Sequence, residues 1–266
     1  MSAPLLNFRE YGRFTPARPS LLFLHGLFGS SANWRSIVRR FEADWHVVVP
    51  DLRNHGDSFH DDAMDYPTMA ADVRLLLDAL GLERVVPVGH SMGGKVAMVL
   101  ALEQTERVAA LAVVDIAPRV YPDRFTPILE AMAGVPAVAP KNREAATEWL
   151  ARRVGDRQLA SYLLQNLRHA RDGGWYWRLN LAALRRHIAA IGDFPEVLCD
   201  APACLPVSFI AGARSDYLDA AGREAARRCF PAARFVVIDG AGHWVYAEQP
   251  EAFVAALRRF LETSGV

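Results

Sequence analysis

The sequence predicts an α/β fold: a mostly parallel central sheet flanked by helices, with a helical cap inserted into it. Three observations predict this. Short apolar runs alternate with helix-period segments at both ends of the 266-residue chain. Such alternation builds parallel sheets that are covered on both faces. A tight turn, Gly89-His90-Ser91-Met92-Gly93, joins an apolar run to a helical one. Residues from about 118 to 198 contain helical patterns and no clear buried strand. The expected organisation is a core of residues 1–117 and 199–266, with residues 118–198 as the cap.

The first clear strand is Leu21–Leu24, which ends at His25-Gly26. Ala32–Phe41 has a helical pattern, and Trp45–Val49 reads as a strand ending at Pro50-Asp51. Met69, Val73, Leu76, Leu77 and Leu80 share one helix face, and Gly81 is placed to end that helix. Val85–Val88 then leads into the Ser91 turn, a helix covers Lys95–Leu102, and Val108–Ile116 is the next strand. Inside the insertion, Asn142–Arg153, Asp156–His169 and Leu179–Ile191 read as helices. Asp172-Gly-Gly-Trp-Tyr-Trp177 reads as a turn carrying an aromatic cluster. After Pro202, Val207–Ala211 and Phe235–Ile238 read as strands around a helix at Leu218–Cys229, despite Gly222 within it. The last helix begins near Pro250 and presents Phe253, Leu257, Phe260 and Leu261 on one face. One residue conflicts with this scheme. Pro87 removes a ladder donor from a central strand, so the strand needs a bulge or an edge there.

Composition narrows the function. Hydrophobic residues make up 52%, enough for a packed core, and 30 basic residues balance 30 acidic ones. Zero net charge gives no electrostatic reason to expect a nucleic acid or an acidic membrane as partner. Cys199, Cys204 and Cys229 form neither an even disulfide set nor a zinc pattern, so reduced thiols are expected. The N-terminus lacks a basic region followed by an apolar one, and no apolar run reaches membrane-helix length. The expected location is cytoplasmic.

A serine between glycines at a strand-to-helix junction reads as a nucleophile elbow. Its turn is so tight that the positions two before and two after the serine must be small. It lifts the hydroxyl clear and aims the next N–H at the site of a developing oxyanion. Gly89–Lys95 also fits the start of a phosphate-binding loop. That loop needs Ser or Thr next to hold Mg²⁺, and here the residue is Val96.

A serine hydroxyl needs a base beside it. His243 lies in the glycine-rich loop Asp239-Gly-Ala-Gly-His-Trp244, after the last strand and so at the same sheet edge as Ser91. Two residues compete to orient its imidazole: Asp115, at the end of the strand after the elbow, and Asp216, in the loop after the Val207 strand. The residues alone favour neither. The two oxyanion donors are expected to be Met92 N–H and Leu27 N–H. His25 and His90 read as structural, and Asp51–Ser58 as a turn-stabilising polar network. Phe28, Trp175, Trp177 and Trp244 are candidate pocket residues, and Tyr121 and Tyr176 add to the aromatic content of the insertion.

With His25-Gly, Asp51-x-Arg-x-x-Gly56-x-Ser58, Gly89-His-Ser-Met-Gly93 and Gly242-His243 in this order, nearly the whole chain resembles the α/β-hydrolases. More narrowly it is similar to the YbfF-like bacterial esterases, through His25-Gly-Leu-Phe-Gly-Ser30, Arg53-Asn-His-Gly56, His90-Ser-Met-Gly-Gly-Lys95, Asp115-Ile-Ala-Pro118 and Gly240-Ala-Gly-His-Trp-Val245. Most of the superfamily place the acid three residues after the glycine that matches Gly212, where this chain has Ser215. The resemblance implies instead that Asp115 is the acid, with Asp216 one residue late, and that Lys95 has no nucleotide role. It also implies a serine esterase with a Ser91–His243–Asp115 triad. No cofactor or metal is expected. The substrates it implies are short- to medium-chain acyl esters or acyl thioesters. The rival readings are C–C bond hydrolysis, cofactor-free perhydrolysis, and a non-catalytic binding protein on the same scaffold.

Overall fold

The computed structural model describes residues 4–135, 142–171 and 173–266. The first three residues of the N-terminal reading, residues 136–141 of the insertion, and Asp172 of the aromatic turn lie outside the described residues. In chain order the first half comprises β1 (Phe8–Tyr11), β2 (Ser20–Leu24), α1 (Arg35–Val38), β3 (Val47–Pro50), α2 (Tyr66–Ala79), β4 (Val85–His90), α3 (Met92–Glu103) and β5 (Leu111–Val114). The insertion holds α4 (Thr126–Gly134), α5 (Arg143–Val154), α6 (Arg157–Leu164), β6 (Leu167–His169), β7 (Trp175–Trp177), α7 (Leu181–Arg186) and α8 (Ile188–Gly192). The chain closes with β8 (Val207–Gly212), α9 (Ala220–Cys229), β9 (Ala233–Ile238), α10 (Val245–Glu248) and α11 (Pro250–Thr263).

The seven-stranded sheet has the order β1-β3-β2-β4-β5-β8-β9. All its pairs are parallel except β1 with β3. Strand periodicity sorts the core into two halves. Leu22 and Leu24 point to the side covered by α2 and α3, whereas Leu21 and Phe23 pack with Trp34, Ile37 and Phe253 on the other side. α2 starts at Asp65, whose carboxylate accepts the Thr68 N–H at 2.8 Å, with proline in its first turn, and is followed by Gly81 at φ +64°.

Pro87 sits where the β4–β5 ladder is interrupted. Val85 O accepts from Ala109 N–H on the β5 side at 2.9 Å, and regular pairing with β5 resumes only at Val88. Residues two apart in a strand face the same neighbour, so the proline nitrogen falls in the gap where no donor is needed.

Two sequence expectations change. The helix expected over Asp156–His169 ends at Leu164, and Leu167–His169 pairs antiparallel with Trp175–Trp177. Asn166 interrupts the helical pattern: its O accepts the Arg178 N–H at 2.9 Å, and its side chain turns to Phe28 O. Strands of three residues, mostly not buried, carry too little pattern to mark the hairpin in an otherwise helical region. The expectation of three reduced thiols also fails. Cys199 and Cys229 are bonded, and Cys204 is free and exposed. The bond joins the C-terminus of α9 to the short turn at Glu196–Asp200 that packs on it, a proximity that 30 residues of separation do not reveal. Disulfides persist mainly in oxidising compartments, so the cysteines no longer argue for the cytosol. Oxidised, denatured protein is expected to titrate with one thiol per chain in Ellman's assay; three would contradict the bond.

Among the described residues, no helix is long and apolar enough to cross a membrane.

Candidate active site

Ser91 stands between β4 and α3 with φ +52° and ψ −118°, a backbone state that L-residues rarely adopt. The glycines make the turn possible. A Cβ on Gly89 would lie 2.2 Å from Gly93 O, and one on Gly93 would lie 2.5 Å from both Leu24 O and His25 O. Ser91 N–H is held by Val114 O at 3.0 Å, which ties the elbow to β5. The Ser91 hydroxyl makes no hydrogen bond among the described residues and lines a cavity of about 240 Å³.

Leu27 and Met92 both border this serine. Neither N–H has an acceptor among the described residues, so both are available to an incoming oxygen. The Leu27 loop is clamped from below by two buried histidines. His25 donates from Nδ1 to Gly26 O at 2.9 Å and accepts the Leu52 N–H on Nε2 at 2.9 Å. His55 donates to Arg53 O at 2.9 Å and accepts the Phe28 N–H at 3.2 Å. Asp51 completes the clamp by accepting from Ser31 N–H, Asp57 N–H and the Asn7 side chain. The Asp51–Ser58 segment is therefore the foundation of the loop that carries Leu27.

Burial pushes the His55 imidazole down to about 3 and also lowers His25. Below an unfolded value of about 6.5, the unfolded chain takes up protons that the folded clamp refuses. The clamp's contribution is thus complete above that pH and is lost as pH falls from 6.5 towards about 3. The slope is at most about 1.4 kcal/mol per pH unit for each histidine. Urea unfolding at pH 7 and pH 5 should show this loss. His55→Gln, which keeps an acceptor for Phe28 N–H, should show a shallower one; equal slopes would contradict the assignment.

His243 follows β9 in the Asp239–Gly242 loop, where Gly240 adopts φ +71°. Glu248 pins the loop by accepting from Gly242 N–H at 2.8 Å and Trp244 N–H at 3.2 Å. The imidazole stacks on Tyr217, with centroids 4.1 Å apart, and lines the same cavity as Ser91. Its Nδ1–H donates to Asp115 Oδ2 at 2.7 Å, which leaves Nε2 as the basic ring nitrogen.

Asp115 is fully buried at the end of β5, with φ +53°. Its Oδ1 accepts the Gly212 N–H at 3.0 Å, and its Oδ2 also accepts the Ser215 hydroxyl. Ser215, at the position where the superfamily usually carries its acid, thus acts as a donor to the carboxylate at Asp115. Asp216 is placed elsewhere. It is exposed and paired with Arg124 at 2.8 and 3.2 Å, a pairing that lowers its carboxyl pKa.

His90 has a supporting position: its Nε2–H donates to His243 O at 2.9 Å, and burial depresses its pKa well below the ordinary range. Lys95 is buried one helical turn after Ser91, with Nζ donating to Gly192 O and Asp193 O.

Of the candidate pocket residues, Phe28 and Trp244 line the cavity. Trp175 and Trp177 do not: Trp175 packs against His169 in the hairpin, and Trp177 donates to Met132 O at 3.1 Å. The wall is supplied instead by Tyr162, Tyr217, Phe125, Ile128 and Leu159. Those residues occupy ordinary helix and loop positions, with no motif to mark them. Tyr162 lies on the inward face of α6, and that face was the one usable signal.

Residues 19–250 match the family described as alpha/beta hydrolase fold. The chain is 39% identical over 254 residues to the sn-1-specific diacylglycerol lipase ABHD11 of Xenopus laevis, covering 92% of this chain and 80% of that protein. It is 35% identical over 243 residues to esterase YbfF of Escherichia coli strain K12, covering 91% and 92% respectively. A solved marine microorganism esterase superposes with a TM-score of 0.92 at 34% identity, covering 97% of this chain and 100% of that one.

Proposed function

The chain belongs to the α/β-hydrolase fold family and is an ester hydrolase, and on that premise we propose that it works through a Ser91–His243–Asp115 triad. The observation that carries this is the 2.7 Å bond from His243 to buried Asp115, with His243 and Ser91 on one cavity. Ser91 Oγ attacks the acyl carbonyl carbon while His243 Nε2 takes its proton. Asp115 keeps the proton on Nδ1 and stabilises the imidazolium. Leu27 N–H and Met92 N–H stabilise the oxyanion, each worth about 10²–10³ in rate. The C–O bond to the leaving group breaks as His243 returns the proton to the departing oxygen. Water, deprotonated by His243, then attacks the acyl-enzyme, releasing the acid and restoring Ser91.

Residues 118–198 act as the cap over this site. Asn166 in that segment donates to Phe28 O at 2.7 Å and Tyr162 to Leu27 O at 3.3 Å, so the cap rests on the oxyanion loop. The substrates are acyl esters or acyl thioesters of small molecules. Among the relatives, the names span esterases and a diacylglycerol lipase, so oxygen esters lead. The test is a hydrolysis screen of p-nitrophenyl esters, acylglycerols and acyl-CoA thioesters. Ester turnover that disappears in Ser91→Ala is expected; folded protein inert on every ester and thioester would contradict the proposal.

A further inference from the structure

Two cavities meet at Ser91, and they differ greatly in size. The outer one measures about 240 Å³ and includes His243, Trp244 and Tyr162 in its wall. A surface groove of about 430 Å³ abuts it along Leu159, Tyr162 and Trp244. The inner one measures about 20 Å³ and lies among Ser91, Met92, Tyr66, Tyr121 and Lys95. A space of that size holds about one water-sized group.

The chemistry assigns each cavity one half of the substrate. His243 must deliver a proton to the departing oxygen, so the leaving group lies on the His243 side. The inner cavity is bordered by Leu27 and Met92, which carry the oxyanion donors, and His243 takes no part in its wall. It is the space left for the acyl chain. Resting on the esterase reading above, we infer that Lys95 is a specificity-determining residue: it floors an acyl pocket that admits an acetyl group while the alcohol side stays open.

The floor is fixed at both ends. Lys95 lies in the first turn of α3, four residues after Ser91, and both border the inner cavity. Its Nζ donates to Gly192 O at 2.9 Å and Asp193 O at 2.6 Å, and lies 4.8 Å from the centre of the Tyr121 ring. Tyr66 O–H donates to the neighbouring Ile191 O at 2.5 Å. The end of α8 is thereby tied to α2 and α3, and the lysine stem cannot withdraw without giving up both of these hydrogen bonds. A longer acyl chain would also have to displace an amine whose hydrogen-bond acceptors among the described residues are Gly192 O and Asp193 O.

Wild-type protein is expected to favour p-nitrophenyl acetate over the hexanoate by at least about 100-fold in kcat/KM, because each methylene a pocket cannot take costs about 10–200-fold. Acetate esters of alcohols of increasing length should differ by less than about tenfold. Lys95→Ala should raise the hexanoate-to-acetate ratio by at least about tenfold, whereas Lys95→Met, with similar reach, should keep it. If Lys95→Ala fails to fold, Ile191→Ala opens the same wall and should move the ratio in the same direction; the wild-type profile needs no variant. Ser91-dependent hydrolysis of hexanoate as fast as acetate overturns the pocket assignment and leaves the esterase reading standing. An unchanged ratio in both folded wall variants overturns the role of Lys95. Absence of Ser91-dependent turnover on every ester overturns both.

Discussion

Asp115→Asn is expected to lower kcat on a p-nitrophenyl ester by about 10⁴, by analogy with the acid of a serine-protease triad. The carboxylate is wholly buried and accepts from three donors: His243 Nδ1–H, Gly212 N–H and the Ser215 hydroxyl. An amide at this position loses the charge that stabilises the imidazolium. It can also present an N–H to His243 and turn the ring to the wrong tautomer. Asp216→Asn is the matched control. Its carboxylate is solvent-exposed and engaged with Arg124, so its loss should change kcat by less than about threefold, in line with the small worth of surface ion pairs. A large effect at Asp216 and a small one at Asp115 would reverse the assignment. Circular dichroism of both variants separates a catalytic loss from unfolding.

Ser91→Ala is expected to have the largest effect, on the order of 10⁶ in kcat. Alanine carries the same Cβ as serine, so the strained elbow at φ +52° is no more crowded than before. The Ser91 hydroxyl makes no hydrogen bond among the described residues that folding would miss. Stability should therefore stay close to wild type while turnover vanishes. That combination distinguishes a nucleophile from a residue that merely packs the turn.

Much of the fold is legible in the sequence. The elbow was legible because its geometry tolerates only small residues at Gly89 and Gly93, a constraint that leaves a local spacing in the sequence. The parallel sheet was legible because buried strands and amphipathic helices differ in period. His243 could be placed beside Ser91 because both follow strands that end at the same edge. What was not legible depends on contacts between distant segments. The Cys199–Cys229 bond, the Ser215 hydroxyl on Asp115 and the tether from Lys95 to α8 each join residues that lie from 30 to 100 positions apart. The hairpin at Leu167–Trp177 was missed because three-residue strands with exposed faces carry too little pattern to outweigh the helical text around them. Trp175 and Trp177 drew attention by their size, yet the hairpin turns them to His169 and Met132, while Tyr162 and Tyr217 wall the cavity. The candidate catalytic groups are legible in the sequence through the chemistry they would perform. Pocket shape has no comparable mark in the sequence, because it is set by how the segment between β5 and β8 packs.

The most direct test of the account is labelling of the folded protein by a fluorophosphonate, which reacts only with a serine that a neighbouring base has activated. The account predicts stoichiometric labelling of wild type at Ser91, located by peptide mass spectrometry, together with none in Ser91→Ala and strongly slowed labelling in Asp115→Asn. Folded wild-type protein that resists the probe, or that is labelled equally in Ser91→Ala, would contradict it.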